Sequence, residues 1–130
     1  MGAGYLLDTN TVIDFSSKKL PQSADRQVAF IIDDAPQISI INKIELLSVV
    51  NVPHQIVMFI EAASIIYLDE AIAEKTIDLR RKYKTKLPDA VIAATAIVND
   101  LILVSHNTSD FRKINELKLI DSYSMKSETT

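Results

Sequence analysis

A chain of 130 residues, 48% hydrophobic and 24% charged, suits one domain over 1–130, with a core at about 5–122 and a frayed polar tail at 123–130. Zero Cys excludes thiolate nucleophiles, disulfide frameworks and Cys-ligated zinc, and two Gly confined to positions 2 and 4 exclude a P-loop or a dinucleotide fingerprint. A net charge of −3 does not indicate a globally basic nucleic-acid binder, and His54 and His106 form no zinc-binding pair, so any catalysis rests on carboxylates, hydroxyls and an oxygen-liganded metal.

Short apolar runs alternate with longer helical patterns along the chain. The first predicted strand, 5–7, ends in Asp8-Thr9-Asn10, and further strands are expected at 37–41, 65–68 and 101–105, with a weaker one at 117–120. Helices are expected at 11–16, 23–34, 42–50, 54–62, 70–84 and 89–99. This alternation predicts an α/β/α sandwich with a mainly parallel sheet of four to five strands. No apolar run reaches the roughly 18–20 residues that span a bilayer, and no basic leader precedes the first apolar segment, so a cytoplasmic protein without a membrane partner is expected.

In parallel sheets ligands bind outside the carboxyl ends of the strands, which makes acids just after strands informative. Asp8 follows the first strand, Glu45 lies a helical turn after the second, and Asp110 follows 101–105. A helix 89–99 feeding a parallel strand must begin at the same edge, which brings Asp89 there too. Four converging carboxylates repel one another unless a cation joins them, and all-oxygen ligands suit Mg²⁺ or Mn²⁺. The matching chemistry is in-line phosphodiester hydrolysis.

Each acid also has a structural explanation. Asp8 can cap the helix after it, and Asn42 with Glu45 reads as a capping box with Asn42 at N-cap and Glu45 at N3. Pro88-Asp89 fits a first helical turn with Pro at N1, and Asp110 can cap a short helix around 111–116. Against this, Asp89 opens the segment Ala90-Val91-Ile92-Ala93-Ala94-Thr95-Ala96, apolar nearly all round, which predicts a buried helix with an acid at its mouth.

Four segments carry a family resemblance: Leu6-Leu7-Asp8-Thr9-Asn10, Ser39-Ile40-Ile41-Asn42-Lys43-Ile44-Glu45-Leu46, Leu87-Pro88-Asp89-Ala90-Val91-Ile92-Ala93-Ala94-Thr95-Ala96 and Leu103-Val104-Ser105-His106-Asn107-Thr108-Ser109-Asp110-Phe111. In this order, over roughly 5–122, they resemble the PIN-domain family and in particular VapC-like toxins of toxin–antitoxin pairs. The resemblance implies a Mg²⁺- or Mn²⁺-dependent ribonuclease with an RNA substrate, a cognate antitoxin and a homodimer contact. It implies catalytic and metal-holding roles for Asp8, Glu45 and Asp89, with Thr9, Asn10 and Ser105 supporting them. At the fourth position the family often carries an acid two residues after the Ser or Thr ending the strand. Here that place holds Asn107, and Asp110 follows three residues later, so either Asp110 is the fourth acid or Asn107 a neutral ligand; Asp110 is favoured slightly.

Beside Asp89, Arg80, Arg81, Lys82, Lys84 and Lys86 form a basic run suited to RNA phosphates, with Tyr83 as a base-stacking candidate. The plain alternative is that these cations decorate a helix C-terminus. Lys18-Lys19 is a weaker second patch. The stretch 49–60 carries more apolar surface than a small domain covers, and in VapC-like toxins the corresponding region helps form an antitoxin groove and a homodimer contact. Two other readings compete with the ribonuclease. One is a PIN-like module that binds RNA or protein without catalysis; the other is a haloacid-dehalogenase-type phosphatase, whose motif needs an Asp where this chain has Asn10.

Overall fold

The computed structural model describes residues 4–125. Five short strands alternate with helices: β1 (Tyr5–Leu7), α1 (Thr9–Ser16), α2 (Gln22–Asp34), β2 (Gln37–Ser39), α3 (Ile40–Leu47), α4 (His54–Ala62), β3 (Ser64–Ile66), α5 (Glu70–Lys82), α6 (Leu87–Val98), β4 (Ile102–Val104), α7 (Thr108–Phe111) and β5 (Leu119–Ile120). A 3-10 helix, Ser122–Ser124, follows. β1, β4 and β5 form one ladder and β2 and β3 another, and every pairing is parallel. The two ladders meet where the Gln37 side-chain amide donates to the Tyr5 carbonyl, at 3.4 Å.

Alternation along the central strands builds two cores. Leu6 and Leu103 face a cluster with Ile72, Leu79, Val91 and Ile92 under α5 and α6. Their neighbours Leu7 and Val104 face Val12, Val28, Ile38, Ile56 and Ile60 under α1, α2 and α4. Side chains of period two thus place helices on both sheet faces, the expected three-layer α/β arrangement. Within α6, every residue from Ala90 to Ala96 is buried. Among the described residues no helix is long and apolar enough to cross a membrane.

Three boundaries differ from the sequence expectation in ways that matter. The second strand stops at Ser39, and α3 begins at Ile40 rather than at 42. Ser39 is therefore the N-cap and Asn42 the N3 residue of a reciprocal capping box, which displaces Glu45 from the N3 role and frees it for the surface. Similarly, α6 starts at Leu87 with Lys86 as its N-cap, so Pro88 is not the first helical residue. The frayed tail does not begin at 123: Met125 packs in the core beside α2, where its main-chain carbonyl accepts a hydrogen bond from Ser23 at 3.0 Å, and Ser122 is buried. Residues 126–130 lie outside the described residues.

Candidate active site

At the carboxyl end of β1, Asp8 is the N-cap of α1 and only 5% exposed. Its Oδ1 accepts from the Thr9 amide (2.9 Å) and from Asn42 Nδ2 (3.1 Å), and its Oδ2 from Ser105 Oγ (2.7 Å) and Asn10 Nδ2 (3.4 Å). Capping and site-building are thus the same role, and the structural and functional explanations for Asp8 do not compete. Burial pushes its carboxyl above the usual aspartate range, and the charge of Glu45 pushes the same way; the bonds from Ser105, Thr9 and Asn42 oppose the shift.

Asn42 links the first two strands. Fully buried, it accepts from the Ser39 amide and hydroxyl (2.9 Å each) and donates to Asp8 and to Thr9 Oγ1 (3.1 Å each). Thr9 passes the connection on, donating its hydroxyl to Glu45 Oε1 at 2.5 Å. Glu45 itself is exposed. Ser105 lies buried beyond β4, where its Oγ accepts from the Asn107 amide (3.0 Å) and from Asn10 Nδ2 (3.3 Å) while donating to Asp8. Asn10 Oδ1 in turn accepts the His106 amide at 3.0 Å. His106 stacks on Tyr123 with ring centroids 3.8 Å apart, and its Nδ1 lies 2.9 Å from Asp121 Oδ1.

Asp8, Thr9, Asn10, Glu45, Asp89 and Asn107 line one open cleft of about 320 Å³. Asp89 is half-buried on the first turn of α6. Burial raises its pKa first, followed by the charges of Asp110 and Asp8, against the pull of Lys86 and Lys113. Asp110 lines the neighbouring pocket rather than the cleft, on α7, and accepts from Asn107 Nδ2 at 2.9 Å. The helix around 111–116 expected after it is a single turn, Thr108–Phe111, with Asn107 as its N-cap. Asp110 therefore acts on the cleft through Asp89 and Asn107. Asp110→Asn is expected to lower the pKa of Asp89 towards the ordinary value, read from an NMR titration of the Asp89 side-chain carboxyl; an unchanged value would remove Asp110 from the site's electrostatics.

Among the described residues no three His, Asp or Glu side chains are grouped tightly enough to cage an ion. Mg²⁺ rarely needs such a cage: one or two carboxylates, retained waters and substrate phosphate suffice. The oxygen donors lining the cleft fit that demand: the charge of Glu45 raises the pKa of Asp8 and the charge of Asp8 raises that of Asp89, a cost of ionisation that a cation would relieve.

The basic run divides. Arg80 donates through Nε to the Thr85 carbonyl (3.3 Å), and Lys82 pairs with Asp78 and Glu116 (3.4 and 3.9 Å). Lys84 and Lys86 line a pocket with Asp89, whereas Arg81 is exposed on α5 outside it. Tyr83 is not a free stacking surface, because its ring packs on the core under α5 and α6 and its hydroxyl donates to Glu116. Lys18 lines a different feature: an apolar groove of about 420 Å³ between α1, α2 and α4, walled by Val12, Phe15, Ile32, Ile56, Met58 and Phe59. Of the supporting residues, sequence reasoning missed the buried polar tie through Asn42; the Ser39-x-x-Asn42 spacing was its signal.

The sequence matches the PIN domain family over residues 5–117. Among solved structures, a toxin-antitoxin complex from Klebsiella pneumoniae contains a chain 34% identical, aligned over 94% of this chain and 98% of that one, with a TM-score of 0.74. VapBC-1 from nontypeable Haemophilus influenzae (23% identity, 91% and 97% covered, TM-score 0.75) shares the fold. So does VapBC2 from Rickettsia felis bound to a promoter DNA fragment (23%, 89% and 96%, 0.73). No curated protein sequence matches the chain. The match across nearly the whole chain, together with this fold, makes the chain a member of the PIN-domain family, built like the VapC-like toxins.

Proposed function

We propose that the protein is a Mg²⁺- or Mn²⁺-dependent endoribonuclease, a cytoplasmic toxin held in check by a cognate antitoxin. The observation that carries this reading is the cleft where Asp8, Glu45, Asp89 and Asn107 meet at the carboxyl edge of the sheet, with both aspartates pushed up by burial and by neighbouring negative charge. Asp8 and Asp89 would hold the ion, with Glu45 and Asn107 as further oxygen donors lining the same cleft. Bound there, the ion supplies Lewis acidity that activates water and offsets charge on the phosphate. The chain's own residues fix the geometry: Ser105, Asn42 and Thr9 hold the Asp8 carboxylate in one orientation, and Thr9 holds Glu45 at the rim.

The apolar groove between α1, α2 and α4, with Met58 55% exposed, is where an antitoxin segment would bury its apolar side chains. The toxin-antitoxin complex from Klebsiella pneumoniae that contains a similar chain supports a partner of this kind. A homodimer contact through the exposed residues Val49 and Val50 belongs to the same proposal.

The test is incubation of the purified protein with RNA and Mg²⁺ or Mn²⁺, with EDTA and Asp89→Asn as controls. Cleavage by the metal-loaded wild type alone is expected. Cleavage that survives both controls would overturn the metal–carboxylate mechanism.

A further inference from the structure

Beside the cleft, and sharing Asp89 with it, lies a smaller pocket of about 140 Å³ walled by Lys84, Thr85, Lys86, Asp110 and Lys113. Two features set it apart from an ordinary charged surface. First, three lysines without an ion pair among the described residues, Lys84, Lys86 and Lys113, line one small pocket together. Lys113 Nζ instead donates to the Lys84 carbonyl, tying the segment after α7 to the α5–α6 loop. Second, Thr85 is 8% exposed and its hydroxyl is buried without a hydrogen-bond partner. Buried polar groups are nearly always satisfied, and an orphaned one points to a missing ligand or water. The same loop is pinned from behind by Arg80, and the α6 N-terminus it leads into has no side-chain cap.

Three cations converging on two acids leave an excess of positive charge, and one of those acids, Asp110, already accepts from Asn107. Simple neutralisation of Asp89 and Asp110 would explain two lysines but neither the third nor the orphaned hydroxyl. We propose that this pocket is a subsite for one backbone phosphate of the RNA, next to the phosphate being cut: Lys84, Lys86 and Lys113 supply the charge and Thr85 the directed hydrogen bond. The assignment rests on the ribonuclease reading above. It puts one shared side chain, Asp89, between two consecutive phosphates of a single strand and so fixes the line along which the strand crosses the cleft. It also separates Lys84 and Lys86 from Arg80, Arg81 and Lys82, which point to other tasks or to solvent.

The experiment measures binding of a fluorescein-labelled single-stranded RNA oligonucleotide by anisotropy in EDTA, and then KM and kcat with Mn²⁺. Lys113→Gln and Thr85→Val are each expected to weaken binding and raise KM about tenfold, with kcat kept within about twofold. Lys113→Gln should also reduce the salt slope of binding by about 0.7, the value for one single-strand phosphate contact. Lys113→Arg should retain binding, and Lys118→Gln, at a lysine already paired with Asp100, should bind like wild type. A single methylphosphonate linkage beside the scissile position should weaken wild-type binding at least as much as Lys113→Gln does, and should cost less in Lys113→Gln than in wild type. Because its hydroxyl is unpartnered, Thr85→Val should unfold at no lower a denaturant midpoint than wild type.

Wild-type binding and KM in both Lys113→Gln and Thr85→Val would overturn the subsite while leaving the nuclease standing. So would a lowered unfolding midpoint in Thr85→Val with binding intact, since that marks a structural threonine. If no RNA is cleaved but Lys113→Gln still weakens binding and flattens its salt slope, the ribonuclease reading fails and the phosphate site survives as an RNA-binding feature.

Discussion

Asp89→Asn is expected to lower metal-dependent RNA cleavage by at least about a hundredfold while raising the melting temperature at neutral pH. The two effects share one cause. In the folded protein Asp89 is half-buried near Asp110 and Asp8, and its pKa is raised. A carboxyl with a folded-state pKa above its unfolded value stabilises the fold when protonated, and that contribution is lost as pH rises through the folded pKa. At pH 7 the ionised aspartate is therefore a cost that the isosteric amide removes. The gain in melting temperature should shrink as pH falls and vanish below about 3.8, where the unfolded group is protonated too. Thermal scans of both proteins from pH 3 to pH 8 check the sign. Added Mn²⁺ should raise the melting temperature of wild type and leave that of Asp89→Asn nearly unchanged. A variant that is less stable at pH 7 would show that Asp89 is a structural helix-capping acid.

Asn42→Ala should be the most damaging single change outside the acids, costing about 2–4 kcal/mol in denaturant unfolding and about 10–100-fold in cleavage. The side chain is fully buried and makes four side-chain hydrogen bonds, two accepted from Ser39 and two donated, to Asp8 and Thr9. Its removal leaves the Ser39 amide without an acceptor and the Ser39 hydroxyl with only the Asn42 main-chain amide as partner, and deprives Asp8 of a donor. Asn42→Asp separates these roles. It keeps the acceptor for Ser39 but turns a second carboxylate oxygen towards Asp8, so its instability should be greatest at neutral pH and ease under acid, when one of the two acids takes a proton. Equal losses at pH 4 and pH 7 would show that geometry, not charge, dominates at this position.

The alternation of strands and helices was legible because short apolar runs and long amphipathic ones differ in period. The register at the second strand was not. Ile40 and Ile41 are β-branched and read as strand, yet they form the first turn of α3 because Ser39 and Asn42 close a capping box without the usual Glu or Gln. That two-residue shift moves Asn42 from a cap to the tie between Asp8 and Thr9, a role no local pattern announces. The tail was misread for a similar reason: its polar composition hid Met125, which is buried against α2, and Tyr123, which stacks on His106. Asp8, Glu45 and Asp89 could be placed on one rim from the rule that parallel sheets bind at their carboxyl ends. The division between Asn107 and Asp110 could not, since it depends on a single turn of α7 that puts the amide in the cleft and the acid in the next pocket. Thr85 and Lys113 lie 28 positions apart in the sequence and meet only through the α5–α6 loop, so composition sees the basic run but not the pocket.

If the cleft's carboxylates hold a divalent cation with which the protein cuts RNA, metal binding and cleavage are coupled. Mn²⁺ binding, followed by electron paramagnetic resonance, and the RNA cleavage rate should be measured on the same samples across a Mn²⁺ titration, for wild type and Asp89→Asn. Binding and cleavage should rise together in wild type and both be lost in the variant. Full-rate cleavage without Mn²⁺, or Mn²⁺ binding undiminished by Asp89→Asn, would contradict the account.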